Sequence, residues 1–348
     1  MNKPKIVNST QIARLAGVSR STVSKVINNY PEIPEETKEK VQAVIKEHRY
    51  TPNTSARVLK GKAQDVIALY VYASAIDSEA DSLCQLGSHY VMGVISNFIM
   101  AANQQDHRIM IELLKYGEDE QEVLHRIQGH FESKSIAAAA FLGLPVTPGF
   151  IDRLVAENLP IAVIDRPVDT RMQAVNIYTD DYQGMQDATH HLINKGYRRI
   201  AFISGDRDKY SARMRAEGYH RAMEKYNLNV NVISGEYSEK SGANAADTLL
   251  AMAPRPDAVV CASDAIAYGL IQRLHLVDQD YLKKLGLVGF DDNAFNDFQY
   301  PPLSSVKVDF AAMAHRTVSA LLKPETFDAT PIPIKLVVRA SSASFQRR

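Results

Sequence analysis

Cysteine and long apolar stretches are the clearest shortages of this 348-residue sequence. Its two cysteines, Cys84 and Cys261, lie far apart and give no metal-ligand spacing, so we expect reduced thiols and neither a disulfide nor a zinc site. No apolar run approaches the roughly 20 residues that a membrane-spanning helix requires. The first residues also lack the apolar segment of a secretory signal. The sequence therefore predicts a cytoplasmic protein with no membrane partner.

Motifs for catalysis and cofactor binding are missing too. There is no G-x-G-x-x-G and no G-x-x-x-x-G-K-[ST], so nucleotide binding has no support from a motif. No serine or cysteine stands in a nucleophile elbow. His190 and His191 are adjacent in a predicted helix and would face different sides of it, which argues against a shared metal ion. We therefore predict no enzyme activity, no cofactor and no metal.

The net charge is zero, but the charges are segregated along the chain. We call residues 1–64 the head and residues 65–348 the body. The charged residues of the head all lie within 1–62, where 12 Lys or Arg stand against 5 Glu, a net charge of +7, and the body carries −7. A small basic head on a larger acidic body indicates a polyanionic partner for the head alone.

The segment from residue 11 to residue 28 contains two short helices joined by a tight turn. Ile12 and Ala16 recur at helical spacing, Gly17 breaks the pattern, and Ser19 opens a second short helix. Two short helices around a glycine-containing turn predict a helix-turn-helix. A helical hairpin in an ordinary core would give the same pattern.

A third amphipathic helix and a helix cap complete the predicted bundle. Val41 and Ile45 share one face of the segment that follows Pro34, and Asn8 with Gln11 fits a capping box for the first helix. Three short helices around one core can hold the second helix at a fixed angle for insertion into a major groove. The exposed face of that helix carries side chains that can hydrogen-bond to base edges or phosphates.

Several motifs of the head occur together at a characteristic spacing. They are Ala16-Gly17-Val18-Ser19, Thr22-Val23-Ser24, Val26-Ile27-Asn28, Tyr50-x-Pro-Asn and Ala56-Arg57-x-Leu59. Residues 8–62 thereby resemble the DNA-binding part of the LacI/GalR (lactose-repressor/galactose-repressor) family of bacterial transcriptional regulators. The resemblance implies that Arg20, Ser21 and Lys25 read bases, and that Leu59 is an apolar wedge in the minor groove. The DNA-binding residues that we predict are Ser19, Arg20, Ser21, Thr22, Ser24, Lys25, Asn28, Asn53, Arg57 and Leu59.

The body alternates strands and helices. Strands of the buried type are predicted at 66–72, 108–114, 136–143, 160–165, 199–205, 257–263 and 285–290, and helices at 90–102, 120–131, 182–194, 211–225 and 241–251. This alternation predicts parallel sheets with helices on both faces. The predicted fold class is a small all-α helix-turn-helix head plus an α/β body.

The resemblance extends through the body and implies a two-lobed, periplasmic-binding-protein-like fold. Such a fold has two α/β lobes, joined by three crossovers, with a ligand in the cleft. The predicted domains are a helix-turn-helix at 8–51, a hinge at 52–64, and an effector-binding and dimerisation domain at 65–348. Lobe 1 is expected at about 65–166 and 307–327, and lobe 2 at about 167–306 and 328–345. The predicted crossovers lie near 165–174, 304–309 and 326–331.

Asp165, Asp264 and Asp291 lie at the carboxyl ends of three predicted strands, which is the edge where such folds bind ligands. The resemblance implies that Arg215 holds the effector, that Asp291 contacts its hydroxyls or amines, and that Tyr237 stacks on it. An arginine, an aspartate and an aromatic face suit a polyol. The effector-binding residues that we predict are Asp165, Arg215, Tyr237, Ser263, Asp264, Asp291 and Phe310.

These observations predict a transcriptional regulator, a repressor, that binds a pseudo-palindromic operator in double-stranded DNA as a homodimer. Its effector would be a sugar or sugar derivative, and its location the bacterial cytoplasm, on the nucleoid when bound. Leu142 and Gly143 stand where sugar-binding relatives often carry a polar side chain, so no particular sugar is predicted. The alternatives are a solute-binding protein without a regulatory role, and a sugar-processing enzyme with an accessory DNA-binding head. The carboxylates of Asp165 and Asp291 would serve that enzyme.

Overall fold

The computed structural model describes residues 8–27, 30–48, 50, 65–73, 88–115, 117–144, 149–165 and 175–342. The chain divides into two compact units, which are the head and the body as defined above. Four of the predicted DNA contacts, Asn28, Asn53, Arg57 and Leu59, lie outside the described residues, as does Cys84. What we expect of them stays a prediction.

The described part of the head contains helices α1 (Ser9–Ala16), α2 (Arg20–Ile27) and α3 (Glu35–Glu47). The predicted capping box is present, because the Gln11 amide donates to Asn8 Oδ1 at 3.0 Å and the Asn8 amide donates to Gln11 Oε1 at 2.9 Å. Gly17 ends α1 with a φ of 65°, which glycine adopts at no steric cost. The Thr22 amide donates to the Ser19 hydroxyl at 3.0 Å and so caps α2. The predicted helix-turn-helix is confirmed.

A small aliphatic cluster holds these helices together. Ile12 and Ala16 of α1, Val23 and Val26 of α2 and Val41 of α3 are at most 4% exposed. They recur at the helical spacing seen in the sequence, which gives each helix one apolar face.

The first sheet of the body is wholly parallel. Its strands are β1 (Val66–Ala73), β2 (Arg108–Lys115), β3 (Ala138–Leu142), β4 (Ile161–Ile164) and β5 (Val175–Ile177). They lie in the order β2-β1-β3-β4-β5. Helices α4 (His89–Asn103), α5 (Glu120–Glu132) and α6 (Gly149–Ala156) follow β1, β2 and β3.

The second sheet is parallel except at one edge. Its strands are β6 (Ile200–Ile203), β7 (Asn231–Ile233), β8 (Ala258–Cys261), β9 (Gly286–Asp291), β10 (Ser304–Lys307) and β11 (Lys335–Val337). They lie in the order β11-β10-β9-β8-β6-β7, and β11 runs antiparallel to β10. The remaining helices are α7 (Asp181–Asn194), α8 (Tyr210–Lys225), α9 (Glu239–Ala251), α10 (Asp264–Val277), α11 (Gln279–Lys284) and α12 (Phe310–Leu322). Strands β3, β8 and β9 are buried along their whole length, as expected of strands covered on both faces.

Each sheet forms the centre of a lobe, and the described residues pass between the lobes at three places. The chain leaves the first sheet after β5, returns as α12, which packs on α4, β3, β4 and β5, and then crosses again to add β11 to the second sheet. The first and third crossings run side by side. Thr179 bridges Ile332, whose amide donates to the Tyr178 carbonyl at 2.8 Å.

Strand β5 corrects the predicted lobe boundary. We expected lobe 1 to end near residue 166 and the first crossover within 165–174, but Val175 pairs with Ala162 of β4, so lobe 1 includes Ile177. A three-residue strand is too short to give a periodic signal. The strands and helices that the sequence predicts in the body are all present, with ends that differ by at most two residues.

Among the described residues, no helix combines the length and the apolar character that crossing a membrane would require.

Candidate functional site

A cleft between the two lobes collects polar side chains from the carboxyl ends of the strands. Its empty volume is about 850 Å³, including the part that is open to solvent. Asp165 directly follows β4, Ser263 follows β8, and Asp291 ends β9. Lobe 1 lines the cleft with Val71, Tyr72, Ser88, His89, Tyr90, Val91, Leu142, Gly143 and Asp165, and lobe 2 with Lys209, Ser211, Arg215, Tyr237, Ser263, Asp264, Ala265 and Asp291. Lobe 1 thus supplies most of the apolar and aromatic wall, and lobe 2 most of the charge.

Arg215 of α8 forms a buried ion pair with Asp181. Its Nε and Nη2 lie 2.9 and 2.8 Å from Asp181 Oδ1, and its Nη1 donates to the Ala262 carbonyl at 2.5 Å. The guanidinium also lies over the Phe290 ring, 3.6 Å from its centre. Burial acts against the charged form, but neighbouring carboxylates, led by Asp181, raise the pKa of Arg215. Arg215 is therefore a fixed positive charge whose position is set from inside lobe 2.

Asp291 is a buried carboxylate that the protein leaves partly unsatisfied. It is 6% exposed, and its Oδ1 has no hydrogen-bond partner among the described residues. The nearest cationic atom is Arg215 Nη1, at 3.7 Å, which is beyond hydrogen-bonding distance. Its φ is 109°, a region that residues other than glycine seldom adopt. Burial raises the pKa of Asp291 well above its ordinary value, against the opposing charge of Arg215. Backbone strain and an unpaired buried oxygen are both features of ligand-binding positions.

Asp165 is held in the cleft by a tyrosine. The Tyr90 hydroxyl donates to Asp165 Oδ2, and the φ of Asp165 is 68°. Burial, and then the charge of Asp181, raise the pKa of Asp165 to about 6, while the Tyr90 hydrogen bond and Arg215 act in the opposite direction. The half-buried carboxylate therefore faces the cleft in a fixed orientation.

Phe310 supports Tyr90 and does not line the cleft, which differs from the apolar wall that we predicted. Its ring centre lies 5.4 Å from that of Tyr90, in a near-perpendicular arrangement. The ring also covers Gly93, where a Cβ would come within 3.0 Å of it. Because Asp309 and Phe310 open α12 beside α4, the ring reaches the back of Tyr90. Phe310 therefore packs behind Tyr90, which in turn holds Asp165.

Asp264 orients the loop after β9. Its Oδ2 accepts from the Asn293 amide and from Asn296 Nδ2, both at 2.8 Å, and its Oδ1 accepts from the Ser305 hydroxyl at 2.7 Å. Burial raises the pKa of Asp264 to about 7, against these three hydrogen bonds. Both oxygens are thus already bonded within the protein. Asp264 lines the cleft as predicted, but its observed contacts fix the backbone beside Asp291.

Lys209 and Tyr237 approach the cleft from lobe 2. The Tyr237 hydroxyl lies 3.2 Å from that of Ser211. Lys209 Nζ donates to the Gly143 carbonyl of lobe 1 and lies 5.6 Å from the centre of the Tyr72 ring. Burial lowers the pKa of Lys209. Gly143 stands where sugar-binding relatives often carry a polar side chain. In this chain, Lys209 of lobe 2 contacts that position.

The adjacent histidines do not meet at a metal. The His190 ring lies 5.5 Å from that of Tyr226, and His191 Nε2 lies 2.8 Å from the Ser342 hydroxyl. Within the described ranges, no group of three or more His, Cys, Asp or Glu is placed to hold a metal ion. Cys261 is free and buried, and burial raises the pKa of its thiol.

The outer face of α2 presents side chains that we predicted to read DNA. Arg20, Ser21 and Lys25 are exposed. Arg20 Nε donates to the Ser9 hydroxyl at 3.1 Å, and Lys25 Nζ lies 3.4 Å from a Glu32 carboxylate oxygen. These contacts orient two cations on the surface and leave further N–H groups of each for a partner.

Ser19, Thr22 and Ser24 complete the described part of the predicted DNA-binding set. Ser19 is exposed, whereas Thr22 and Ser24 are half-buried. The Ser19 hydroxyl lies 2.8 Å from that of Thr22 and accepts from its amide. Ser19 therefore has a structural task as the cap of α2.

Comparison with known proteins matches both units. Residues 10–53 match the bacterial regulatory proteins of the lacI family, and residues 189–342 match the periplasmic binding protein-like domain. The probable HTH-type transcriptional repressor ExuR of Bacillus subtilis (strain 168) is 27% identical over 328 residues, which cover 92% of this chain and 93% of the relative. The structure of the lac repressor dimer bound to operator and the anti-inducer ONPF is similar with a TM-score of 0.80 at 23% identity, over 97% of this chain and 100% of that chain. A complex of the transcriptional regulator CelR with cellobiose has a TM-score of 0.68 at 25% identity, over 96% and 99%.

The chain combines a lacI-family DNA-binding domain with a periplasmic-binding-protein-like domain.

These matches indicate the general role of the chain. The head is a DNA-binding domain, and the chain is a DNA-binding transcriptional regulator. Its relatives are regulators and not enzymes. The predicted family, fold class and functional class are therefore confirmed, and the solute-binding and sugar-processing alternatives are set aside.

The sequence analysis missed several residues at the cleft: His89, Tyr90 and Lys209, which line it, and Asp181, which pairs with the lining residue Arg215. Asp181 follows Asp180 at the start of α7, where acidic residues ordinarily favour the helix dipole, so nothing marked it as the partner of Arg215. Tyr90 and His89 open an amphipathic helix, and aromatic residues there are ordinary core formers. Lys209 could have been found, because it stands two residues before Ser211 in the stretch that contains Arg215.

Proposed function

We propose that the chain is a repressor that binds a pseudo-palindromic operator as a homodimer, and that its operator affinity changes when a sugar or sugar derivative occupies the cleft. The protein would act in the bacterial cytoplasm, on the nucleoid when it is bound to DNA. The proposed effector site is the cleft between the lobes, and the proposed DNA-reading surface is the outer face of α2.

The unpaired Oδ1 of Asp291 is the observation that carries the effector proposal. A carboxylate oxygen withdrawn from water without a donor destabilises the empty cleft. A ligand hydroxyl or amine would supply the missing donor. Arg215 and Asp165 offer further hydrogen bonds, and the tyrosine rings offer a surface for the face of a sugar ring. The cellobiose complex of the neighbour CelR supports a carbohydrate for this chain as well.

The geometry of the head supports DNA recognition by α2. A helix held at a fixed angle by two others can enter a major groove, where arginine and lysine bond to guanine and to phosphates. Two-fold symmetry of a homodimer would place two such helices on two half-sites.

Control of DNA binding requires an effector that distinguishes two arrangements of the lobes. A ligand shifts such an equilibrium only through different affinities for the two states. The contact of Lys209 with Gly143 crosses the cleft, so a ligand that enters beside it would alter the distance between the lobes. We expect this contact to respond to the effector.

Selection of operators from random double-stranded DNA tests the proposed function. We expect one pseudo-palindromic sequence to be enriched by the full chain. A thermal-shift screen of sugars should then give a stabilising compound that changes the affinity for the selected site. Absence of any sequence preference, with and without the screened compounds, would overturn the regulator.

The variant Asp291→Asn tests the proposed effector site. We expect it to bind the selected operator as the original chain does and to lose its response to the stabilising sugar. Asp280→Asn is the matched control, because the Asp280 side chain is 83% exposed and pairs with Lys283 on the surface. An unchanged response in Asp291→Asn would show that the effector binds elsewhere.

A further inference from the structure

The cleft holds more carboxylates than cations. Among the described residues, the carboxylates that line it or directly contact its lining are Asp165, Asp181, Asp264 and Asp291, the lysine and arginine cations are Lys209 and Arg215, and His89 is a further titratable group of the lining. Asp206 and Asp208 add negative charge beside Lys209 from the outside. The charge of the enclosed cluster is therefore negative unless a carboxylate takes up a proton.

Both cations are already engaged. Arg215 is hydrogen-bonded to Asp181 and to the Ala262 carbonyl, so its charge is directed mainly at Asp181 and reaches Asp291 only through an ion pair at 3.7 Å. Lys209 is bonded to the Gly143 carbonyl, and its charge faces that of Asp165. Neither cation is in hydrogen-bonding distance of Asp291 Oδ1.

Asp291 is the carboxylate whose Oδ1 has only a long ion pair, with Arg215 Nη1 at 3.7 Å, and no hydrogen bond among the described residues. Asp264 is stabilised by three neutral donors, the Asn293 amide, Asn296 and Ser305. Asp291 Oδ1 has no donor, yet the side chain is more than nine-tenths buried and lines the cleft. A buried carboxylate needs both a hydrogen bond and an opposite charge to be fully stabilised. A hydroxyl supplies the first, and an ammonium group supplies both.

We propose that the effector carries a protonated amine that donates to Oδ1 of Asp291, so that an amino sugar is bound in preference to its neutral and acidic counterparts. This inference rests on the proposed function, because it names the chemistry of the effector within the same cleft.

The aromatic wall favours the same ligand. Tyr72, Tyr90 and Tyr237 line the cleft, and the face of a tyrosine ring attracts a cation. Lys209 already places an ammonium group 5.6 Å from the centre of the Tyr72 ring, and the Arg215 guanidinium lies 5.7 Å from that of Tyr237. Cations inside this cleft thus pack against tyrosine rings.

An acidic ligand would meet the opposite conditions. A carboxylate or phosphate brought beside Asp291 adds a negative charge to a cluster that already has too few cations. Burial, and then the charges of Asp264, Asp181 and Asp165, raise the pKa of Asp291 against the opposing effect of Arg215. Burial is the main cause of the raised pKa and the neighbouring carboxylates add to it, so an ammonium group would counteract the shift and an anion would increase it.

Matched sugars that differ in one group test the inference. Calorimetric titration of the full chain would compare glucose, glucosamine and glucuronate, and the corresponding galactose and mannose sets, at a slightly acidic pH where the amines are protonated. In at least one set we expect the amino sugar to bind about tenfold more tightly than the neutral parent, as a charge-assisted hydrogen bond implies. The acid of that set should bind more weakly than the parent.

The variant Asp291→Asn tests whether Asp291 causes the preference for the amino sugar. Asparagine keeps the size of the side chain and removes the charge, so the ratio between amino sugar and neutral sugar should fall to about one. Asp280→Asn, on the surface, should keep the ratio. Thermal unfolding of both variants checks that they are folded, and Asp291→Glu, which restores the charge, should recover part of the preference.

The outcomes separate this inference from the proposed function. If a neutral or acidic sugar binds most tightly and changes operator affinity, the inference of an amine on the effector is wrong, but the proposed regulatory function stands. An amine preference that survives Asp291→Asn also overturns the inference. If none of these sugars binds while operator selection succeeds, the amino-sugar assignment is wrong, whereas failure of operator selection refutes the regulator itself.

Discussion

The head and the body use polar residues in opposite ways. The head buries only a small aliphatic cluster, and its arginine and lysine side chains stand on the surface of α2. The body buries charged groups, among them Arg215, Asp181 and Asp291, in or beside its cleft. A surface that reads a large rigid partner keeps its charges in water, whereas a cleft that encloses a small ligand has to withdraw them from water. The comparison predicts that substitutions of the buried charged residues of the body change stability and effector binding together. In the head, substitutions on the surface of α2 should change DNA binding without changing stability.

The largest effect is expected from removing one member of the buried ion pair. Arg215→Met leaves Asp181, 3% exposed, without its cation, and we expect a loss of about 3–5 kcal/mol in the free energy of unfolding of the body. Urea unfolding of the full chain measures it, and hydrogen exchange of the α1–α3 amides should be unchanged. Arg221→Met is the matched control on the same helix, because its side chain is 69% exposed. A loss below about 1 kcal/mol would contradict the importance of the pair.

The next effect concerns the core of the head. Ile12→Ala opens a cavity at a fully buried position and should cost about 2–4 kcal/mol. A core of this size supplies only about 3–5 kcal/mol, so the head should unfold and operator binding should be lost. Effector binding, measured by calorimetry, should persist. Leu15→Ala, at a 52% exposed position of the same helix, is the control. Loss of effector binding in Ile12→Ala would refute the separation of the two units.

A smaller effect is expected from the surface of α2. Arg20→Ala should weaken binding to the selected operator by about 1–3 kcal/mol and relax the preference at one base position. Stability should hardly change, because the side chain is exposed and its observed partner is the Ser9 hydroxyl. Quantitative gel-shift titration on the selected site and on single-base variants measures both quantities. Equal weakening on every sequence would instead identify Arg20 as a phosphate contact.

The smallest effect is a dependence of stability on pH. Because the folded-state pKa of Asp165 is raised from its ordinary value of 3.8 to about 6, the folded chain keeps this proton in the pH range where the unfolded chain has lost it. The group therefore reduces stability progressively as the pH rises from about 4 to about 6.

Asp165→Asn should remove that loss, so the variant should gain stability relative to the original chain across this window. Water reaches the half-buried carboxylate, so we expect a gain below about 1 kcal/mol. Urea unfolding at a series of pH values measures it, with Asp280→Asn as the control. A difference between Asp165→Asn and the original chain that stays constant with pH would contradict the raised pKa.

The sequence predicts the frame of this molecule better than its cleft. Long apolar strands such as β1 and β9 and the amphipathic helices are visible because their periodicity is set by burial within each element. The aspartates at the ends of β4 and β9 were found because the ligand edge of a parallel sheet is fixed by topology.

Contacts made between distant elements could not be predicted. The partnership of Asp181 with Arg215 joins α7 to α8, and that of Lys209 with Gly143 joins the two lobes. Neither leaves a pattern in the local sequence. We predicted that Phe310 contacts the ligand because it follows Asp309 in the sequence. The position of its ring, however, depends on Gly93 of another helix, against which it packs.

The return of α12 to the first lobe determines when that lobe can fold during synthesis. Met313, Ala314 and Val318 of this helix are buried against α4 and the first sheet, yet they are made after nearly the whole second lobe. A ribosome that has released the first 180 residues therefore holds a first sheet on which α12 has not yet packed, and exposed apolar surface on nascent chains aggregates or is taken up by chaperones. A message broken before the codons of α12 would yield a chain that lacks this part of the core, and we expect the cell to degrade it.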